Sequence, residues 1–277
     1  MTLDGSRYEW TRVERQCRST QEQFDDTVQK RAAVRVGTGC SWRRFNLKAT
    51  LHLFVVLSFL TAGSVRAADT HETDPHPEQP IDIGSLPPGT PRTVAEHNNH
   101  AIEFAQKGQL DDAIAELSLA LELAPEDTIA LYNRANFYFR NRKLDRAIAD
   151  FTEVIRLKPN FALAFLNRGA AYSSQGRLDD SLSDLNAAEQ LRVDNFLIFY
   201  NRAVVHALRR EFDLAIADFD STLQLKPKDV LALLGRGLAF ETIGKTDLAI
   251  IDYRSALEAD PASKPAELAL QRIRSNL

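Results

Sequence analysis

The chain has 277 residues, of which 44% are hydrophobic and 26% charged, and its formal net charge is −4. This composition is typical of a globular protein and excludes a collagen-like or wholly disordered chain. Residues 1–67 carry 11 basic and 6 acidic side chains, whereas residues 68–277 carry 23 and 32. Such an acidic body argues against nucleic acid as a partner, because neutralising phosphates needs a basic face.

An export signal is predicted over residues 41–67. The apolar run of residues 51–60 follows the basic side chains of Arg43, Arg44 and Lys48, and small residues come after it as far as Ala67. This is the order of a basic region, an apolar region and a cleavage site in a signal peptide. The run is shorter than the ~20 residues of a membrane-spanning helix. We therefore expect cleavage and a periplasmic or cell-envelope location. The alternative is a membrane anchor through residues 51–62.

Residues 1–40 show no sustained helical or strand period. Signal peptides occupy roughly 15–30 residues in total, so a signal peptide over residues 41–67 leaves no role for the 40 residues that precede it. We expect it to be untranslated, with a true start near Val34 or Val36, or else disordered. Both cysteines, Cys17 and Cys40, lie in this segment, so a cleaved chain would have no disulfide, zinc cluster or cysteine nucleophile.

Residues 68–93 are polar and acidic and contain six prolines. This composition predicts an extended, disordered linker. His71 and His76 stand beside acidic residues in it, and we interpret them as solvated linker residues rather than metal ligands.

From Val94 onwards the sequence matches itself every 34 residues without an insertion. Position 8 of each unit is small, position 20 is small, position 24 is large and apolar, and position 32 is proline in four of five units. The units are 94–127, 128–161, 162–195, 196–229 and 230–263. The residues at position 8 are Ala101, Ala135, Gly169, Ala203 and Gly237, and those at position 24 are Leu117, Phe151, Leu185, Phe219 and Tyr253.

This period and pattern resemble the tetratricopeptide repeat family. The resemblance implies an all-α fold, a right-handed α-solenoid of five helical hairpins. In the second unit the apolar spacing predicts helices over Ile129–Asn141 and Leu144–Leu157. Proline at position 32 ends the second helix. We expect the next helix to be capped by Asp127, Asn160 or Asp229.

A final capping helix is predicted over residues 264–277, with Leu268, Leu270 and Ile273 on its buried side. A single hairpin cannot bury its own apolar face, so a stack of hairpins needs such a cap at its end.

Two charged rows repeat with the units. Arginine occupies position 7 in four units and aspartate occupies position 23 in the same four. The arginines could form a ladder that binds a ligand, or each could pair with an aspartate between helices. The matched repetition favours pairing. The residues are Arg134, Arg168, Arg202 and Arg236, with Asp150, Asp184, Asp218 and Asp252.

The resemblance further implies that positions 2, 5, 6, 9, 12 and 13 of the first helices face a protein or peptide ligand. An amide row at position 6 could both donate to and accept from a peptide backbone, although these amides could instead bond within the repeats. The lysines and arginines of the carboxylate-clamp subset are absent, since Asn98, Ile102, Leu163 and Asn167 occupy its positions. The predicted groove residues are Asn99, Tyr132, Asn133, Asn136, Phe139, Arg140, Asn167, Tyr200 and Asn201.

Histidines are the candidates for catalysis. His97 and His100 stand three residues apart and could share a metal, but no carboxylate at a matching turn completes a site. No phosphate-binding glycine loop, metalloprotease helix or serine elbow is present in the sequence. We therefore predict a non-catalytic protein-interaction scaffold without cofactor or metal. The alternative is an accessory subunit or metal-dependent enzyme that uses His97 and His100.

Overall fold

The computed structural model describes residues 92–191 and 195–275, and every regular element within these ranges is an α-helix. They form five hairpins followed by one further helix, which confirms the predicted all-α repeat array. In chain order the helices are α1 (Val94–Gln106), α2 (Leu110–Leu123), α3 (Thr128–Arg140), α4 (Leu144–Leu157), α5 (Ala162–Ser174), α6 (Leu178–Gln190), α7 (Phe196–Leu208), α8 (Phe212–Leu225), α9 (Val230–Thr242), α10 (Thr246–Ala259) and α11 (Lys264–Ser275).

The predictions for residues 1–40, for the signal over 41–67 and for nearly all of the linker over 68–93 lie outside the described residues. Among the helices of the described ranges, none combines the length and the apolar character that crossing a membrane requires.

The first helix of a unit is capped from position 34 of the preceding unit. The side chains of Asp127, Asn195 and Asp229 accept a backbone N–H of the helix that follows. Thr93 caps α1 in the same way, and its own N–H donates to Glu96 at 2.6 Å. Asn160, which was predicted to cap α5, is not the cap. It lies one residue too early in the repeat, and Phe161 occupies the capping position without a side-chain bond.

The turn between the two helices of each unit contains a residue with a positive φ at position 15. Three units have glycine there, but the second and fourth have Arg142 and Arg210, with φ of 60° and 65°. Residues with a Cβ are strained in this left-handed region, whereas glycine is not. The two arginine turns are therefore less favourable than the glycine turns.

The two helices of a unit meet at positions 8 and 24. The side chains at position 24 are almost completely buried in every unit, and the small residue at position 8 makes room for them. A Cβ on Gly237 would lie only 2.7 Å from the ring of Tyr253, and one on Gly169 would lie 3.1 Å from Cγ of Leu185. The repeated small residue is thus a condition for close packing of each hairpin.

The arginines at position 7 pair with the aspartates at position 23, which confirms the favoured prediction. Each of the four guanidinium groups donates Nε and Nη2 to the two carboxylate oxygens of the aspartate 16 residues later, at 2.6–3.0 Å. The Nη1 group donates to a side chain of the preceding unit. These acceptors are Ser118, Thr152, Asn186 and Asp220. Each arginine therefore joins the two helices of its own unit and also fixes the register with the unit before it.

The first unit differs from the others on its outer side. Position 10 lies one helical turn after the arginine position, on the face that packs against the preceding hairpin. It is buried in the four later units, as Phe137, Ala171, Val205 and Ala239, but in the first unit it is the exposed Glu103. The outer side of α1 thus presents a charge where later units present apolar surface.

At the other end α11 packs against α10 and buries Ala266, Ala269 and Ile273. Leu270 is partly buried against the same cluster. The prediction for Leu268 was wrong, since this side chain is 62% exposed. The buried stripe has the helical spacing of residues 266, 269 and 273, and position 268 lies on the other side of the helix.

Candidate functional site

The first helices of consecutive units lie side by side, from α1 with α3 through to α7 with α9. The second helices of consecutive units meet less closely. The first helices therefore form the inner, more tightly curved side of the array. This side forms the inner groove, which comprises the side chains at positions 2, 5, 6, 9, 12 and 13 of α1, α3, α5, α7 and α9.

Amides at position 6 connect neighbouring units across this groove. Nδ2 of Asn167 donates to the hydroxyl of Tyr132 at 2.9 Å and to Oδ1 of Asn136 at 2.8 Å. Nδ2 of Asn133 donates more weakly to Oδ1 of Asn98, at 3.4 Å. These amides thus bond to the preceding unit. The Asn167 oxygen accepts no hydrogen bond from the described residues.

Tyr132 holds the centre of this cluster. Its ring packs edge-on against Phe161, with centroids 5.0 Å apart, and at 5.9 Å from Phe151. Burial raises the pKa of the Tyr132 hydroxyl, although its hydrogen bonds to Asn136 and Asn167 oppose that shift. The hydroxyl therefore stays protonated near neutral pH and is fixed in position by aromatic packing.

Three of the predicted groove residues form the base of the groove rather than its surface. Tyr200 is 1% exposed, Asn201 4% and Phe139 4%. The ring of Tyr200 packs against Phe219 with centroids 6.0 Å apart. Asn99 is exposed, and Tyr132, Asn133, Asn136, Arg140 and Asn167 are partly buried.

Gly235 interrupts the amide row at position 6, and the ring of Phe219 fills the space beside it. A Cβ at this position would lie 2.4 Å from the ring of Phe219. The aromatic residue at position 24 of the fourth unit thus occupies the space in which an asparagine side chain would begin.

Two charged side chains stand at inner-groove positions, Arg140 in α3 and Glu241 in α9. Glu241 is fully engaged, because Arg272 of α11 donates to both of its oxygens at 3.1 and 2.7 Å, and the hydroxyl of Tyr253 donates at 2.9 Å. Arg140 has no carboxylate partner among the described residues, and its guanidinium lies 5.8 Å from the ring centroid of Phe137. Burial lowers the pKa of Arg140.

Two serines outside the predicted set of groove residues lie in register with Phe139 and Arg140, one unit further along the array. The hydroxyl oxygens of Ser173 and Ser174 are buried and have no hydrogen-bond partner among the described residues. Buried polar groups are normally satisfied. Their positions, 12 and 13 of the third unit, are the only signal in the sequence that could have identified them.

Two of the three histidines in the described ranges, His97 and His206, are each bonded to a carboxylate. Nδ1 of His97 lies 2.7 Å from Glu116, which Arg92 also contacts, and Nδ1 of His206 lies 2.7 Å from Glu211. Within residues 92–191 and 195–275, no group of three or more histidine, cysteine, aspartate or glutamate side chains could hold a metal ion. No observation in the described residues favours the alternative that uses His97 and His100.

Comparison with solved structures shows the same fold in several proteins. MamA is 24% identical, with a TM-score of 0.54 over 58% of this chain and 94% of that one. TTC0263, a thermophilic repeat protein of Thermus thermophilus, is 22% identical, with a TM-score of 0.54 over 65% and 100%. YrrB, described as having an unusual peptide-binding site, is 19% identical, with a TM-score of 0.53 over 64% and 92%.

No curated protein sequence matches the chain significantly. The family model for the tetratricopeptide repeat matches residues 98–162, 138–195, 166–230 and 200–264. These overlapping matches run from the first unit to the start of α11 and cover more than half of the 277 residues. The chain therefore belongs to the tetratricopeptide repeat family.

Proposed function

We propose that the chain is a non-catalytic scaffold that holds a partner protein or peptide in its inner groove. Tetratricopeptide repeats generally mediate protein–protein interactions, and this family covers the described array. YrrB, which shares the fold, has a peptide-binding site. That likeness supports the class of ligand and leaves its identity open.

The observation that carries the proposal is the hydrogen-bonded cluster of Tyr132, Asn136 and Asn167. Its side chains belong to two different units and are held by bonds of 2.8 and 2.9 Å. A ligand that meets side chains already fixed in place avoids much of the entropic cost of ordering them. The oxygen of Asn167 is available to accept a backbone N–H of an extended segment.

We also propose that the chain is exported and acts in the periplasm or cell envelope. The support is the order of basic, apolar and small residues over residues 41–67. N-terminal sequencing of the protein from fractionated cells tests this proposal, and the mature chain is expected to begin at Ala68. Recovery of intact protein from the cytosol with residues 1–30 attached would contradict it.

Affinity capture from envelope extract tests the binding proposal. The full chain is compared with the Asn136→Ala/Asn167→Ala variant, which removes the amides but leaves Tyr132 in its aromatic packing. We expect a partner that the wild-type chain retains and the variant loses. Circular dichroism and thermal melting establish that the variant remains folded.

The matched control is Gln190→Ala/Gln224→Ala. These two amides are exposed on the second helices α6 and α8, so the control removes the same number of amides outside the groove. It should retain the partner. Equal retention by all three proteins would contradict binding in the inner groove.

A further inference from the structure

We infer that the occupant of the inner groove is an extended segment that places an aspartate or glutamate side chain against Arg140. Apolar side chains of the same segment then lie over the third to fifth units. This inference rests on the proposed function and specifies the chemistry of the partner.

The first support is the state of Arg140. In the position-7 row, each guanidinium has both oxygens of an aspartate. Arg140 is partly buried without any such partner, and the loss of water around it is the cause of its lowered pKa. A carboxylate supplied by a ligand restores the missing charge and can accept two parallel N–H groups from the guanidinium.

The second support is the absence of a competing acid. The carboxylate of Asp111, at the start of α2, is bonded to Asn141, which follows Arg140 in the chain. It accepts from Asn141 at 2.9 Å and from Lys143 at 2.7 Å, so it already has partners of its own. Glu241 lies three units further along the array and is held by Arg272. Within the inner groove, Arg140 is therefore the one charge left without a counter-charge among the described residues.

The third support comes from Ser173 and Ser174. They occupy the positions of α5 that correspond to Phe139 and Arg140 in α3, and their buried hydroxyls lack a partner among the described residues. A hydroxyl can donate to a carboxylate oxygen or to a peptide carbonyl. Since these oxygens are closed off from the surface in the free chain, each hydroxyl meets a segment that crosses from the second to the third unit only after its side chain turns about χ1.

The groove also changes character along the array. In the first unit the exposed groove side chains include Asn99, Gln106 and one large apolar residue, Ile102, whereas the third to fifth units present partly buried leucines at positions 2, 9 and 13. These leucines are Leu163, Leu197, Leu208, Leu231 and Leu238. An occupant with one acidic side chain followed by apolar ones matches this order in charge and in polarity.

The groove continues on both sides of Arg140, with the first unit before it and the third to fifth units after it. This placement favours an acidic side chain within a segment over a carboxylate at a chain end. Packed helices lie about 8–10 Å apart, and an extended chain advances about 3.3 Å per residue. Apolar side chains are therefore expected about three and six residues from the acidic one.

The test measures binding of fluorescein-labelled peptide pools by fluorescence anisotropy. The first pool contains extended decapeptides with one fixed glutamate, leucines three and six residues away from it, and random small residues elsewhere. A second pool has glutamine in place of the glutamate. Both pools are made in two versions, one with the leucines N-terminal and one with the leucines C-terminal to the fixed residue. All peptides are acetylated and amidated, so no terminal carboxylate contributes.

We expect the full chain to bind the glutamate pool about tenfold or more tightly than the glutamine pool, since the contact is a charge-assisted hydrogen bond. Added salt should reduce that difference. Arg140→Gln should abolish it, and Arg140→Lys should retain part of it. The matched control is Arg254→Gln, which removes the same charge from an exposed position on the second helix α10, and it should leave the difference unchanged.

Equal binding of the two pools, a preference that survives in Arg140→Gln, or no binding of the glutamate pool to the wild-type chain would each overturn the inference. The proposed function is tested separately by the capture experiment with Asn136→Ala/Asn167→Ala. If that variant loses its partner while the pools bind equally, the groove binds a ligand but Arg140 does not select an acid.

Discussion

Two sets of arginines in this protein have opposite surroundings. The four at position 7 lie where each unit meets its predecessor, and each is held by an aspartate and by a side chain of the preceding unit. Arg140 lies in the inner groove, is partly buried, and has no carboxylate partner among the described residues. The repeated arginines therefore hold the units in register, whereas Arg140 has no such internal role among the described residues, and this difference is the basis for the proposed contact with a ligand.

The largest expected effect comes from deleting residues 264–277. This deletion exposes the apolar surface of the fifth unit that α11 covers and removes Arg272, which holds Glu241. We expect a clear fall in melting temperature together with aggregation. In the same variant Glu241 becomes a second charge in the groove without a counter-charge, although the hydroxyl of Tyr253 still donates to it. An unchanged melting curve would contradict the capping role of α11.

The next largest effect is expected from Asp184→Ala. The Asp184 carboxylate is buried and accepts two N–H groups of Arg168, at 2.7 and 2.8 Å. Its removal leaves a partly buried guanidinium without its main partner and should lower the free energy of unfolding by about 2–4 kcal/mol. Urea denaturation measures the change. The control is Asp180→Ala, which breaks the exposed pair with Arg177 and should cost less than about 1 kcal/mol.

The arginines in the turns form a third set, and replacing one of them should raise the free energy of unfolding, whereas Asp184→Ala lowers it. Arg142 has a φ of 60°, which glycine adopts without strain. Arg142→Gly should therefore raise the free energy of unfolding by about 0.5 kcal/mol, and Gly244→Arg should lower it by about 1 kcal/mol. No atom lies within 4 Å of a Cβ built on Gly244, so the second change reports on the backbone alone. If both variants raised the free energy of unfolding measured by urea denaturation, or both lowered it, this explanation would be contradicted.

The smallest effect is expected from Arg140→Met. The guanidinium lies over the ring of Phe137 but forms no ion pair with the described residues, and methionine keeps most of the apolar contact. The melting temperature should stay the same or rise slightly, since a partly desolvated charge has been removed. A fall as large as that of Asp184→Ala would show that Arg140 is structural and would erase the distinction between the two sets.

Much of the fold could be predicted because the repeat fixes the register. The helix predicted over Ile129–Asn141 is observed over Thr128–Arg140, and that over Leu144–Leu157 has the predicted limits. The pairing of the arginine row could also be favoured in advance, since two charged positions recurred together.

The surface of the groove could not be predicted as fully. Whether a side chain at position 5 or 6 is exposed depends on its neighbours in the adjacent units, which the repeat pattern does not specify. Tyr200 and Asn201 are buried for this reason, while Asn167, at an equivalent position, is only partly buried. The unbonded hydroxyls of Ser173 and Ser174 are equally invisible in a sequence, because serine in a helix normally bonds to a preceding carbonyl.

The exposed glutamate at position 10 of the first unit has a consequence for assembly. Hairpins of equal length and shape can in principle stack without limit, including onto those of another copy of the chain. Stacking on the outer side of α1 would bury the Glu103 carboxylate where later units bury apolar side chains, and that desolvation is costly. We therefore expect Glu103 at this end and α11 at the other to disfavour stacking of one copy of the chain onto another.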